Sequence, residues 1–132
     1  MTSRPRVYLA ARFERKAEMY DLAAKWGNEI DFTSSWYRLE TNEESNHSVA
    51  FLRECAERDL QDVAASTHFV LFTEPEAAIR GGRHVETGYA LALHKYIHLI
   101  GKPENIFHRL AGILIHDSAD ECLRLIAREV LE

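Results

Sequence analysis

Short apolar segments alternate with longer helix-like segments along the whole chain, and this alternation limits the fold more than any other feature. Five apolar segments predict β-strands, at Arg6–Ala11, Glu29–Trp36, His68–Thr73, Tyr96–Ile100 and Gly112–His116. The segments beside them predict helices, at Glu14–Trp26, Ser48–Ala65, Arg83–His94, a turn or two within Glu104–Leu110, and a last helix that begins at Ser118. Such alternation is typical of a parallel sheet with helices on both faces.

The chain of 132 residues is long enough for one domain, so we expect a single α/β domain over residues 1–132. Right-handed crossovers favour a flavodoxin-like sheet of five parallel strands in the order 2-1-3-4-5. Ligands bind such sheets beyond the carboxyl ends of the strands, where the strand order reverses. The reversal lies between the first and third strands, which predicts a site built from residues 8–13 and 73–86.

Composition excludes several classes of protein. The net charge of −5 weighs against binding of polymeric nucleic acid, which needs a basic face. Two cysteines, Cys55 and Cys122, are too few for a disulfide framework or a four-cysteine zinc site, and both are predicted to be buried thiols. The sequence has no apolar run of membrane-spanning length and no signal-peptide core, so we expect a cytoplasmic protein. Neither a metal site nor a cofactor motif is indicated.

Two carboxylates are placed on apolar helix faces. On the helix of residues 48–65, a helical projection gives an apolar stripe of Val49, Leu52, Ala56, Leu60 and Val63, and Asp59 falls on the same side. An unpaired buried carboxylate is costly, so Asp59 either caps or pairs locally, or serves as an acid, base or ligand for substrate. Glu86 shares a face with Ala90 and Leu93 on the next helix. Its place in the first turn suits the helix dipole, and it also suits a nucleophile over the ligand crevice.

Other candidates surround these two carboxylates. The Gly81–Gly82 pair either forms a plain turn or lets the backbone approach an anion. Four arginines lie in or beside the two predicted loops: Arg12, Arg15, Arg80 and Arg83. They are either surface charges or a local phosphate-binding site. Phe13, Trp36 and Tyr37 either pack in the core or stack on a base. Tyr8 packs in the first strand, and its hydroxyl has the chemistry to orient a carboxylate.

Three segments resemble the nucleoside 2-deoxyribosyltransferase family, which includes the 2′-deoxynucleoside 5′-monophosphate N-hydrolases. They are RVYLAARF (6–13), CAERDLQDVAASTHFVLF (55–72) and GGRHVETGYALALHK (81–95), and the last is the most specific. The resemblance implies that Glu86 attacks the anomeric carbon of the deoxyribose, that Tyr8 orients Glu86, and that Asp59 acts at the base or the sugar. A retaining glycosidase works in the same way, and the covalent sugar then passes to water or to another base.

On this basis the expected substrate is a deoxynucleoside or deoxynucleotide, the enzyme needs no cofactor, and a neighbouring subunit of a homodimer or larger homo-oligomer closes the site. The expected substrate-binding residues are Ala10, Arg12, Phe13, Arg15, Trp36, Tyr37, Arg80, Gly81, Gly82, Arg83 and His84.

The sequence also departs from the family pattern. After the first strand, Ala10–Ala11 replaces the Gly-Ser or Gly-Pro pair of many members. Before the third strand, Thr67 and His68 stand where many members have an Asp. Before the Gly-rich turn, Arg80 replaces the Ser that is frequent in the hydrolases. Without that Asp, His68 or a water molecule is an alternative proton donor. The departures also leave open a non-catalytic nucleotide-binding sensor on the same fold. A glycohydrolase of a ribosyl dinucleotide such as NAD is a third alternative.

Overall fold

The fold was analysed in a computed structural model, which describes residues 4–38, 48–75 and 81–129. The strands are β1 (Arg6–Ala10), β2 (Asp31–Phe32), β3 (His68–Phe72), β4 (Tyr96–Ile100) and β5 (Leu114–His116). The helices are α1 (Lys16–Trp26), α2 (Val49–Ala65), α3 (Gly82–Ala92) and α4 (Ala119–Ala127). Within the described residues, 3-10 turns at Phe13–Arg15, Trp36–Arg38 and Ile106–Arg109 connect these elements. Among the described helices, none is long and apolar enough to cross a membrane.

The five strands form one parallel sheet in the order β2-β1-β3-β4-β5, which confirms the flavodoxin-like fold predicted from the alternation. Tyr8 of β1 is in register with Phe69 of β3, and Phe69 with Ile97 of β4. The reversal of strand order therefore lies between β1 and β3, with the carboxyl ends at Ala10 and Phe72. The ligand crevice is expected at this point.

The two faces of the sheet are covered by different helices. On one face, Tyr8 stacks on Phe69 and its hydroxyl reaches α3, which packs beside α2. On the other face, His68 reaches Glu129 just after α4, and Trp26 of α1 donates a hydrogen bond to Asp120 of α4. Adjacent residues of a strand point to opposite faces, so Phe69 and His68 mark the two sides.

The second strand is much shorter than Glu29–Trp36, the range predicted from its composition. Beyond Thr33, whose amide donates a last backbone hydrogen bond to the Val7 carbonyl, side chains replace the strand ladder along the free edge of β1. Ser34 Oγ accepts a hydrogen bond from the amide of Leu9, and the indole of Trp36 donates one to the Leu9 carbonyl. The edge of β1 is thus paired without a strand, and Trp36 is fixed beside the carboxyl end of the sheet.

The apolar stripe predicted on α2 is not a core stripe. Of its members only Val63 is buried, while Val49 is 69% exposed and Leu52 is 50% exposed. With 17 residues α2 is about 25 Å long, whereas a five-residue strand spans about 16 Å. The carboxyl-terminal part of α2 packs on the sheet at Val63, and the amino-terminal part extends past the ends of the strands. We call the exposed residues of α2 and α3 beside it, Val49, Leu52, Leu60, Val85 and Leu93, the α2–α3 face.

Smaller boundary differences have local causes. Helix α1 begins at Lys16 because residues 13–15 form a 3-10 turn, and α3 begins at Gly82 and ends before His94, whose φ of 59° is left-handed. The last β-strand begins at Leu114, and the predicted turns of 104–110 reduce to Ile106–Arg109. Ser118, where the last helix is predicted to begin, caps α4, since its side chain accepts a hydrogen bond from the amide of Glu121.

Candidate functional site

A cleft of about 170 Å³ opens at the carboxyl ends of β1 and β3, on the α2–α3 side of the sheet. Its lining comes from both predicted loops and from the inner edges of two helices: Ala11, Phe13, Trp36, Asp59, Gly82, Arg83 and Glu86. The cleft therefore lies where the strand order reverses. Both anomalous carboxylates of the sequence face it.

Tyr8 and Glu86 are joined at the floor of this cleft. The Tyr8 hydroxyl donates a hydrogen bond of 2.5 Å to Oε2 of Glu86. Tyr8 is fully buried, and its ring stacks on Phe69 with 5.6 Å between ring centres and 3° between planes. Because β1 and β3 hold both rings, the hydroxyl has little freedom to leave the carboxylate. Burial, together with the charge of Glu86, raises the pKa of Tyr8 far above its usual range, so the hydroxyl remains a donor.

Glu86 is a carboxylate in an unfavourable environment for charge. Burial is the largest influence and raises its pKa to about 7, and the nearby Asp59 and Asp62 act in the same direction. The hydrogen bond from Tyr8 opposes this rise because it stabilises the ionised form. Near neutral pH, Glu86 is therefore divided between its ionised and protonated forms, in a site where a charge is poorly screened.

Asp59 enters the cleft from α2. Burial raises its pKa to about 6, with Asp62 adding to the rise and Arg58 opposing it. Its Oδ1 is buried and accepts no hydrogen bond from the described residues, although Arg58 Nη2 lies 3.6 Å away. A carboxyl group with an unused oxygen and a raised pKa is suited to hold a proton and to give it to a ligand.

The aromatic candidates divide into two groups. Phe13 and Trp36 both line the cleft, with 6.2 Å between ring centres and 43° between planes. Tyr37 packs against the opposite side of Trp36 in the core, and its hydroxyl is 2.8 Å from Ser34 Oγ. Tyr37 is 2% exposed and is not part of the cleft lining. The flat surface offered to a ligand therefore consists of Phe13 and Trp36.

The arginines near the cleft are bound to glutamates. Arg83 lines the cleft and is 4% exposed, and its Nη2 donates to both carboxylate oxygens of Glu104 at 2.5 and 2.6 Å. Burial works to raise the pKa of Glu104, but the hydrogen bonds from Arg83 outweigh it and hold that pKa below its usual range. The pair is thus an ionised bridge between α3 and the loop after β4.

Arg12 and Arg15 lie outside the cleft lining and meet a second glutamate. Arg15 Nη1 donates to Glu74 at 3.1 Å, and its other nitrogens donate to Glu18. Arg12 donates to Glu14, with its Nη1 3.8 Å from Glu74. Among the described residues, glutamates therefore neutralise most of the positive charge of the predicted arginine cluster. Arg80, the fourth member, lies outside the described residues.

The remaining candidates are placed around this arrangement. Gly82 lines the cleft and begins α3, whereas Gly81 precedes the helix outside the lining. Ala10 is completely buried at the end of β1. The Nε2 atom of His84 lies 3.7 Å from Glu104, and its ring is beside that of His108. His84 therefore belongs to the Arg83–Glu104 group.

Three residues that shape this site were not among the individually named candidates, although Ala11 and Glu74 fall within the predicted ranges 8–13 and 73–86. Ala11 lines the cleft one position beyond the predicted Ala10. Glu74 and Glu104 neutralise the arginines, and both follow predicted strands at the carboxyl edge of the sheet. Their position in the sequence could have indicated that they lie near the site, because every loop at this edge of the sheet faces the same crevice. The ion-pair partner of each arginine could not be predicted from the sequence, since 21 residues separate Arg83 from Glu104 and 59 separate Arg15 from Glu74.

The fold is similar to two solved structures. One is the CMP N-glycosidase BcmB of Clostridium botulinum, with a TM-score of 0.58 and 19% sequence identity, covering 92% of this chain and 97% of that one. The other is a 2-deoxyribosyltransferase of the psychrotolerant bacterium Bacillus psychrosaccharolyticus, with a TM-score of 0.65 and 12% identity, covering 96% and 99%. The chain shares the fold of these two enzymes. The resemblance seen in the sequence is thereby confirmed at the level of the fold. No family model and no curated protein matches the sequence.

Proposed function

We propose that this protein cleaves the N-glycosidic bond of a 2′-deoxynucleoside or its 5′-monophosphate through a covalent intermediate on Glu86. One observation carries the proposal: a buried carboxylate held by a tyrosine shares a cleft with a second carboxyl group of raised pKa. A nucleophile and a proton donor are the two groups that a retaining glycosidase requires. The activities named for the two structural neighbours belong to the same kind of chemistry.

In the first step, an oxygen of ionised Glu86 bonds to C1′ of the sugar as the bond from C1′ to the base nitrogen breaks. The electron pair of the breaking bond leaves with the base, and the proton of Asp59 neutralises it. Tyr8 donates its hydrogen bond to Oε2 of Glu86, so Oε1 is the oxygen proposed to attack. A 2′-deoxy sugar favours this route because no electron-withdrawing 2′-hydroxyl destabilises the oxocarbenium-like transition state.

In the second step, Asp59 is ionised and accepts a proton from the incoming acceptor, which attacks C1′ and releases Glu86. With water as acceptor, the product is the free sugar or its 5-phosphate, and the protein is an N-hydrolase. With another nucleobase, the product is a new nucleoside, and the protein is a deoxyribosyltransferase. Both outcomes restore the starting protonation of Glu86 and Asp59.

Phe13 and Trp36 are proposed to hold the base, because they are the aromatic side chains that line the cleft. Arg83 is proposed to face the sugar or its 5′ substituent. A 5′-phosphate there would meet Glu104 as well as Arg83, so the described charges weigh against a phosphorylated substrate and the substrate panel must include both forms.

A second copy of the chain is proposed to cover the α2–α3 face. This face carries five exposed apolar side chains, and Val63, further along the same stripe of α2, packs on the sheet. It also borders the cleft, since α2 supplies Asp59 and α3 supplies Glu86. Apolar patches of this kind on small proteins mark interfaces. A homodimer would therefore close the cleft that one chain leaves open.

The test is product analysis with matched variants. Wild type, Glu86→Gln and the exposed-surface control Glu57→Gln are incubated with each deoxynucleoside, deoxynucleotide and ribonucleotide, with and without an acceptor base. Wild type and the control are expected to release free base, and Glu86→Gln to release at least about 10³-fold less. A 2′-fluorinated substrate analogue should add the mass of its sugar to the peptide that contains Glu86.

Base release by Glu86→Gln at the wild-type rate would refute the covalent mechanism. Tight nucleotide binding by wild type with no base release, across the whole panel, would instead support a sensor. Preference for substrates with a 2′-hydroxyl, including NAD, would support the ribosyl glycohydrolase alternative.

A further inference from the structure

Three histidines form a row across the sheet face that α4 covers. His68, His98 and His116 come from β3, β4 and β5, with 5.6 Å between the first two ring centres and 5.1 Å between the last two. This face is opposite the one that carries Tyr8 and the cleft. The proposed glycosidic chemistry therefore makes no use of these three side chains.

The end of this row nearest the edge of the sheet, at β4 and β5, meets a cysteine of α4. Nδ1 of His98 and Nε2 of His116 are 2.9 Å apart, and a ring nitrogen of each histidine lies within 4.8 Å of Sγ of Cys122. All three residues are buried, with Cys122 completely so. His68 is anchored elsewhere, since its two ring nitrogens contact Thr67 and Glu129. The cluster of His98, His116 and Cys122, the His–Cys cluster, is thus a buried group of two nitrogen donors and one sulfur donor.

We propose that the His–Cys cluster binds a zinc ion through Nδ1 of His98, Nε2 of His116 and Sγ of Cys122. Zn²⁺ prefers imidazole and thiolate donors, with bonds of about 2.0–2.3 Å. In a tetrahedral site such bonds place donor atoms roughly 3.3–3.8 Å apart. The two imidazole nitrogens must therefore move apart by about half an ångström, and the sulfur must move inward.

Binding must also change the protons of the cluster. The hydrogen that lies between the two imidazoles moves to the other nitrogen of its ring, so that both facing lone pairs are available to the metal. The thiol proton of Cys122 is released to solvent, and the thiolate and Zn²⁺ together keep a charge of +1. Affinity is therefore expected to rise with pH, as one proton leaves for each ion bound. A water molecule or other small ligand completes the fourth position.

The zinc would have a structural role. It would fasten α4 to β4 and β5, the two strands beside which α4 lies. Cys122 comes from α4 and the two histidines come from adjacent strands, so one ion would join three elements. Because the sheet separates the His–Cys cluster from the cleft, occupancy is expected to raise thermal stability without changing the rate of base release.

Cobalt substitution tests the site directly, because a thiolate bound to Co²⁺ gives a charge-transfer band in the near ultraviolet. The chain has two cysteines, so Cys122→Ser and the matched control Cys55→Ser separate the sources of any such band. In chelator-treated protein, wild type and Cys55→Ser are expected to show the band at one Co²⁺ per chain, and Zn²⁺ to abolish it. Cys122→Ser is expected to lack it and to bind Zn²⁺ more than about 100-fold more weakly.

Calorimetry gives a second reading on unmodified protein. Zn²⁺ titrated into wild type in two buffers of different ionisation enthalpy should release about one proton per ion, and the thermal midpoint should rise with free Zn²⁺. His98→Asn should weaken binding with the band position unchanged. Absence of the band in wild type, its retention in Cys122→Ser, or a thermal midpoint insensitive to Zn²⁺ would each overturn the proposal.

Discussion

Tyr8 and Glu86 are separated by 78 residues and are joined by a hydrogen bond of 2.5 Å. The bond exists because β1 and α3 meet at the point where the strand order of the sheet reverses. It works against burial, since it stabilises the ionised carboxylate that burial destabilises. The orientation and the charge of Glu86 therefore both depend on one phenol.

Replacement of Tyr8 by phenylalanine tests this dependence. The Tyr8→Phe variant keeps the stack on Phe69 but loses the hydrogen bond, so we expect kcat to fall about 10- to 100-fold with little change in KM. Loss of the bond also raises the pKa of Glu86, which is already the higher of the two carboxyl pKa values, so the basic limb of the rate profile should move to higher pH. Steady-state kinetics of base release between pH 5 and 9 measure both effects.

The control for this experiment is Tyr20→Phe, which removes an exposed hydroxyl from α1. A Tyr8→Phe variant that raised KM with kcat and the pH profile unchanged would show that Tyr8 packs or binds substrate and does not position Glu86.

The pH dependence of the wild-type reaction follows from the two carboxyl groups. Turnover requires one proton on the pair, with Glu86 ionised and Asp59 protonated, which is the less populated one-proton form because the pKa of Glu86 is the higher. The pair titrates with pKa values of about 6 and about 7, so kcat/KM is expected to be bell-shaped with a maximum near pH 6.5. A rate that stayed constant from pH 5 to pH 9 would contradict the role of these groups.

Asp59 is expected to limit stability at high pH. Burial raises its pKa in the folded protein above the unfolded value of 3.8, to about 6. The stability associated with its proton is therefore complete below about pH 4 and is lost as the pH rises to about 6. Asp59→Asn, which has no charge to bury, should be more stable than wild type at pH 8 by up to about 3 kcal/mol, and equally stable at pH 4.

Thermal denaturation at the two pH values measures this difference, with Glu57→Gln as the exposed control on the same helix. Asp59→Asn should also release base more slowly, except from substrates whose base leaves without protonation. Equal destabilisation at both pH values would indicate that Asp59 has a structural hydrogen bond and not a stored proton.

The α2–α3 face provides a prediction about association. A glutamate introduced at Leu52 or Val85 would place a charge in the proposed interface, so each variant should be a monomer where wild type is a dimer. Leu125→Glu on α4 is the matched control, since Leu125 is equally apolar and about half exposed. Light scattering coupled to size-exclusion chromatography gives the masses. A monomeric wild type, or a dimer that survives both substitutions, would refute this interface.

The order of elements could be predicted because apolar runs and helical periodicity are local properties of the chain. Asp59 and Glu86 could be found for the same reason, as charges on otherwise apolar helix faces. The partners of Arg15 and Arg83 could not, because ion pairs between distant segments depend on the assembled loops. The predicted core stripe at Val49 and Leu52 was wrong because periodicity shows that a face is apolar but not which surface covers it.

The excess length of α2 over the strands has a consequence for catalysis. Asp59 lies near the middle of the helix, between the part anchored to the sheet at Val63 and the part that extends into solvent at Leu52. Anything that settles on the extended part excludes water from the surroundings of Asp59 and raises its affinity for a proton. Subunit association and proton transfer would then be thermodynamically linked, and dilution of the enzyme would shift its pH optimum.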